Sequence, residues 1–302
     1  MGYEEFKEKI LEKLQDFYGN NADVNIERQQ KNNGIYYDGI LIRTNGTGSR
    51  VALVIRLDEL YEEYNRSDMD IWDCVQDVLR ILNNNKVPKG IERLVQRIND
   101  WDYVRKSVYP ILLSTEGNRE LLQKLVSTAM LDLSVVYIIR TEMANDCGSS
   151  IKISKSLMEN YGISIEQLHE QAMENLKKDG YKFQNIYSVV RSLLPLKQSD
   201  EYPMSRTGNM EMHVLTNSSN IYGAAGILDR ELLKQFAGEQ DYIILPSSVH
   251  ETIFVPVTEK YDKETFDSMI VEVNQSGVSR EEWLSNHSYY YDAGIGEIRI
   301  CA

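Results

Sequence analysis

The chain has 302 residues, 42% of them hydrophobic and 26% charged, and a formal charge of −13. That length supports one large domain or two ordinary ones without a disulfide or metal staple. The acidic balance, with no Lys/Arg tract to offset it, repels nucleic-acid backbones and argues against a nucleic-acid partner. Cys74, Cys147 and Cys301 are odd in number and widely spaced, so they match neither a disulfide framework nor a zinc pattern. A reducing cytoplasm is the expected home. No apolar run approaches the roughly 20 residues that span a bilayer, so no membrane partner is expected.

The first element is an amphipathic helix over 3–18, with Phe6, Ile10, Leu14 and Phe17 on one stripe. A strand around 24–27 and another over 35–44 flank Asn32-Asn33-Gly34, whose residues tolerate positive φ, so a hairpin is expected. A third strand, 50–57, alternates Val51, Leu53, Ile55 and Leu57 on one face. Asp58, Glu59, Glu62 and Glu63 follow in a surface helix, where a solvated face outweighs a metal site. Ser67 or Asp68 then caps a helix that buries Ile71, Val75, Val78 and Leu82, with Trp72 and Leu79 widening the buried side. Asn83-Asn84-Asn85 and Pro88 end it.

Residues 90–128 read as mainly helical or mixed, with a break at Tyr109-Pro110. The β-branched run within 131–140 predicts a buried strand. Gly148-Ser149 turns into a short strand around Ile151 and Ile153. A helix near 155–161 stops at Gly162, and Ser164-Ile-Glu-Gln167 has capping-box spacing. The helix it opens faces Leu168, Ala172 and Leu176 inward and carries a structural His169. A further helix spans 184–194, and the polar segment 195–209 is a loop that covers a groove or stands away from the body. Beyond it come strand 212–216, helix 228–236, strands 242–245 and 251–257, and helix 263–274. Gly238 is a natural helix stop.

The fold class is therefore α+β, with antiparallel or mixed sheets, helices packed mainly on one face, and two subdomains. Residues 1–85 hold the amino-terminal helix, a three-stranded meander and helices. Residues 86–194 form a helical middle region with one or two strands, and the loop 195–209 leads to a carboxy-terminal α+β unit over 210–302.

Several motifs point to one family: Leu245-Pro-Ser-Ser-Val-His-Glu251, Leu131-Asp-Leu-Ser-Val-Val-Tyr137, Met212-His-Val-Leu-Thr-Asn217, Gly223-Ala-Ala225 and Asn274. With Lys31-Asn-Asn-Gly-Ile35 as the opening hairpin, the chain resembles, over nearly its whole length, a bacterial domain of unknown function numbered 5688. The resemblance implies an identity and no mechanism.

One cluster has chemical possibilities. Ser247, Ser248, His250 and Glu251 sit at the junction of two strands, where a hydroxyl within reach of an imidazole is a potential nucleophile and an acid orients the ring. Glu251 would need a partner such as Asn217 or Ser219. The competing expectation is a serine turn with Glu251 satisfying backbone donors. A triad is recognised by geometry, and neither Gly-x-Ser-x-Gly nor a His-Glu-x-x-His spacing occurs. Neither a cofactor nor a metal is expected. His213 and His287 read as structural, and Tyr289-Tyr-Tyr-Asp292 as an edge strand or an interaction surface. The preferred function is a cytoplasmic accessory or protein-interaction protein. The alternative is a small-molecule-binding protein or hydrolase using the Ser247/His250/Glu251 neighbourhood.

Overall fold

A computed structural model describes residues 1–45, 51–85, 87, 89–141, 150–193, 211–246, 248–257 and 262–301. The expected loop 195–209, the turn at Gly148-Ser149, and Arg50, Pro88, Cys147 and Ser247 lie outside the described residues. Helices are interspersed with three sheets, and every strand pairing among the described residues is antiparallel. The chain divides into two compact units, Met1–Ile98 and Asn99–Ala302.

In the first unit, α1 (Tyr3–Tyr18) precedes the hairpin of β1 (Ala22–Gln30) and β2 (Tyr36–Thr44). Its register runs from Ala22 opposite Thr44 to Gln30 opposite Tyr36. Asn33 adopts φ 56° in the connecting turn, the left-handed conformation that asparagine tolerates better than most residues. The third strand is shorter than its alternation implies: β3 covers Val54–Arg56, and Leu57 already opens α2 (Leu57–Arg66). α3 (Ile71–Asn84) and α4 (Lys89–Arg97) complete the unit. Phe6, Ile10 and Leu14 of α1 pack with Val24, Ile40, Ile55, Val75 and Val78 in one core. Two expected core residues are outside it. Phe17 is 52% exposed and Trp72 is 49% exposed, because each lies at a helix end. The cap of α3 is Asp70, not Ser67 or Asp68: its carboxylate accepts from Asp73 N–H at 2.8 Å while Asp73 accepts from Asp70 N–H at 2.9 Å. On α2 the predicted acidic face is ion-paired locally, Arg56 with Asp58 and Glu59, and Arg66 with Glu62.

The second unit opens with α5 (Trp101–Val104), β4 (Val108–Ser114), α6 (Arg119–Lys124), β5 (Ser127–Met130) and β6 (Leu133–Arg140). Tyr109-Pro110 is not a break. It lies inside β4, with Pro110 opposite Tyr137. Proline survives there because β4 is an edge strand, whose outward N–H groups need no ladder partner. β6 is the buried centre, flanked by β4 on one edge and by β5 and β7 (Ser150–Lys152) along the other. α7 (Lys155–Tyr161) and α8 (Ile165–Leu176) follow, the second opened by the expected Ser164/Gln167 capping box. His169 on α8 meets the buried Tyr137 hydroxyl through Nδ1 at 2.9 Å, which ties the helix to the sheet.

The third sheet has six strands in the order β13-β12-β10-β11-β9-β8. These are β8 (Lys182–Asn185), β9 (His213–Thr216), β10 (Tyr242–Leu245), β11 (Thr252–Pro256), β12 (Tyr289–Asp292) and β13 (Glu297–Ile300). Residues 182–185 are thus strand, and the helix expected there, α9, starts at Ile186 and runs Ile186–Leu193. A 3-10 turn over Gly223–Leu228 leads into α10 (Arg230–Ala237), and α11 (Lys263–Gly277) precedes β12. One face of the sheet packs Ile243, Leu245 and Val255 against Phe266 and Ile270 of α11. The alternate residues Thr252 and Phe254 are also buried, as are Tyr289 and Tyr291. Tyr290 points the other way and donates to Asp241 at 2.6 Å, as strand alternation requires. Phe183 of β8 lies between His213 and Phe236, with ring centroids 4.7 and 5.4 Å away, so His213 is part of an aromatic stack.

Candidate functional site

The β10–β11 connection meets the loop that follows β9. At its base, Thr216 donates its hydroxyl to the His250 carbonyl at 2.9 Å. The Tyr222 N–H donates to His250 Nδ1 at 3.2 Å. With Nδ1 accepting, the ring proton sits on Nε2, which faces Glu282 Oε1 at 3.3 Å. The Tyr222 ring stacks on the imidazole, centroids 5.7 Å apart. Tyr222 has φ 56° and Asn220 φ 55°, so two residues of this loop hold left-handed backbone. Hydrogen bonds to His250 and Asn217 offset that strain.

Asn217 organises the loop from inside. It is fully buried, and all of its side-chain bonding capacity is used. Nδ2 donates to Asp179 at 2.9 Å and to the Ile221 carbonyl at 2.8 Å. Oδ1 accepts from the Ser219 hydroxyl at 3.0 Å and from Ile221 N–H at 3.2 Å. Asp179 in turn holds Arg140 through both carboxylate oxygens, at 2.7 and 2.8 Å. The Arg140 guanidinium lies 3.9 Å from the Tyr109 ring centroid, a cation–π contact. Ser218, Ser219 and Asn220 are exposed at the tip of this braced loop.

Ser248 and the His250 ring do not form a dyad. Ser248 is 3% exposed, and its hydroxyl accepts the backbone N–H of His250 at 3.0 Å. Both nitrogens of the His250 ring face other groups, Tyr222 N–H and Glu282. Ser247 lies outside the described residues. Glu251 meets neither Asn217 nor Ser219 in the bonds these residues make; its nearby donor is the Ser248 hydroxyl. Sequence reasoning offered Asn217 to Glu251, whereas the loop that Asn217 holds meets His250. It missed Asp179, Tyr222 and Glu282. The available signal for Tyr222 was Gly223, which marks a tight backbone approach one residue later.

Burial pushes the Glu251 carboxyl above its ordinary value of 4.5, with Glu282 reinforcing the rise and His250 and Ser248 opposing it. A carboxyl raised in this way holds its proton more tightly in the folded chain than in the unfolded one. Its contribution to stability is present below pH 4.5 and is lost as pH rises through the folded value. Glu251→Gln should therefore unfold at higher denaturant than the parent at neutral pH. The gap should close on acidification below pH 4.5 in urea titrations.

Two further polar knots hold the six-stranded sheet. Asp132, in the β5–β6 turn, accepts from the Tyr289 hydroxyl at 2.5 Å and from the Ser285 hydroxyl at 2.7 Å. Burial first, and Asp132 second, push the Tyr289 phenol far above its ordinary range. Asn274, 1% exposed on α11, donates to the Ser285 carbonyl at 3.1 Å and to Asn286 at 3.0 Å. Asp132, Asn217, Gly223, His250 and Asn274 all belong to the motifs that carry the family resemblance. Asp132, Asn217 and His250 lie in connections between elements, Gly223 opens the 3-10 turn, and Asn274 lies on α11.

The chain is matched over residues 3–293 by the family model described as a family of unknown function, DUF5688. It belongs to that family. No curated protein and no solved structure matches it. The DUF5688 match takes in the whole β9–β11 neighbourhood and ends just after β12, leaving β13 beyond it. Among the described residues, no group of three or more His, Cys, Asp or Glu is arranged to hold a metal ion. No described helix is long and apolar enough to cross a membrane. An open depression of about 380 Å³ lies on α11, lined by Asp267, Ser268, Val271, Glu272 and Gln275, and does not include the 248–251 segment.

Proposed function

We propose that this DUF5688 chain is a cytoplasmic accessory protein that binds another protein through the loop over 217–222. The observation that carries the proposal is the bracing of that loop: Asn217 and His250 fix its backbone, while Ser218, Ser219 and Asn220 stand exposed. A rigid polar loop loses little conformational entropy on docking, and its exposed serine oxygens, whose protons are committed to Asp179 and Asn217, present acceptors to a partner. Cys74 and Cys301 are buried free thiols, and burial pushes Cys74 up to about 11, which suits a reducing compartment. The two compact units are read as subdomains, the first carrying one sheet and the second two, each with its own helices. The alternative, hydrolysis at Ser247/His250/Glu251, would require the His250 ring to exchange Tyr222 N–H for a serine hydroxyl.

The test couples a binding arm to a turnover arm. Immobilised parent protein should retain a specific partner from extract of the source cells. Ser219→Arg, which adds a long cation at the tip, should weaken that retention about tenfold or more relative to Ser219→Ala, which gives up the same bond to Asn217 without the cation. Retention unaffected by the substitution would remove the loop from the interface. Ester or amide turnover that disappears in His250→Ala would replace the proposal with the hydrolase reading.

A further inference from the structure

β13 is the outer strand of the six-stranded sheet, paired to β12 from Tyr289 opposite Ile300 to Asp292 opposite Glu297. Cys301 N–H donates to the Ser288 carbonyl at 3.0 Å, which fixes the phase of the ladder. In an antiparallel pair, bonded and non-bonded positions alternate, so Glu297, Arg299 and Cys301 turn their backbone groups toward β12. Ile298 and Ile300 turn theirs toward the open edge. Ile300 is also 36% exposed, and Ile295 in the adjoining turn is 63% exposed. Among the described residues no strand pairs with this edge, and such an edge with apolar side chains is a template for another strand.

From these features we infer that β13 pairs with β13 of a second copy of this chain, antiparallel about a two-fold axis perpendicular to the sheet. Such an axis keeps the faces of the two sheets aligned and must pass through one residue position. Centring it on Glu297 or Arg299 sets like charges directly opposite each other. Centring it on Ile298 sets Glu297 opposite Arg299 of the second copy, twice, and Ile298 opposite Ile298. It also places outward-facing backbone groups opposite each other, so the two Ile298 residues exchange both N–H···O bonds. Charge, apolar pairing and ladder phase thus select the same register. The residues that supply this edge lie beyond the family match, which ends at 293. The joined strands form one continuous twelve-stranded sheet. A four-residue contact is small, so a concentration-dependent equilibrium is expected in place of an obligate dimer. β13 forms the sheet edge opposite β8, and the inference stands apart from the loop proposal above.

Sedimentation velocity over a concentration series tests it with two single variants. Arg299→Glu sets Glu opposite Glu in the homodimer, and Glu297→Arg sets Arg opposite Arg. Each alone should self-associate at least about tenfold more weakly than the parent. An equimolar mixture of the two restores opposite charges at both positions, so it should recover dimer while neither component does alone. Ile298→Pro, which removes the central N–H donor, should be monomeric throughout. A parent chain that stays monomeric at every concentration overturns the inference. So does a dimer that both charge variants leave unchanged, or a mixture that fails to recover it.

Discussion

Replacing Gly223 by alanine should cost about 3 kcal/mol or more in folding stability, one of the two largest losses expected from a single substitution in this chain. A Cβ at that position would lie 2.6 Å from the His250 carbonyl oxygen and 2.7 Å from the Asn217 nitrogen, and would also strike the Thr216 hydroxyl. Two of the three obstacles are backbone atoms, so no rotamer change relieves them. The loop would have to lift away from β9 and β11, giving up the Thr216–His250 and Tyr222–His250 bonds together. Urea unfolding should show a lower midpoint with little change in slope. A loss below about 1 kcal/mol would mean that the loop is free to move, contrary to the bracing described above.

Asp179→Ala should be comparably damaging, at about 3 kcal/mol. The Arg140 and Asp179 side chains are 21% and 13% exposed, so removing the carboxylate leaves a largely desolvated guanidinium without its partner. The substitution also strips Asn217 of one acceptor. Adding Arg140→Leu to Asp179→Ala should recover part of the loss, since the uncompensated charge goes with it. Thermal and urea unfolding of the two singles and the double would close the cycle. Strict additivity would show that the pair contributes nothing through its mutual contact.

The elements that were legible in the sequence are those whose pattern is local. The stripe Phe6, Ile10, Leu14 gives the helix Tyr3–Tyr18, Asn32-Asn33-Gly34 gives the first hairpin, and Ser164/Gln167 gives the start of α8. What escaped is non-local. β5, β8 and β13 have four residues each, too few for alternation to show, and their pairing comes from tertiary contacts. Pro110 reads as a break unless β4 is known to lie at an edge. The site divides in the same way. His250 and Asn217 stand out as polar residues at strand ends, and their convergence follows from one antiparallel pairing. Asp179 is 38 residues from Asn217 and 39 from Arg140, and only the packed unit brings the three together. Ser248 sits beside His250 in sequence, yet its hydroxyl binds the backbone of that residue, because a serine two positions before an N–H is well placed for a local turn.

The most direct test of the braced loop is the state of the His250 ring near neutral pH, read by long-range ¹H–¹⁵N correlation together with exchange of the Tyr222 amide. If Tyr222 N–H donates to Nδ1, the neutral ring carries its proton on Nε2 and the Tyr222 amide is protected from solvent exchange. A proton on Nδ1 together with a freely exchanging Tyr222 amide would contradict the bracing. It would also leave the ring free to face a serine hydroxyl.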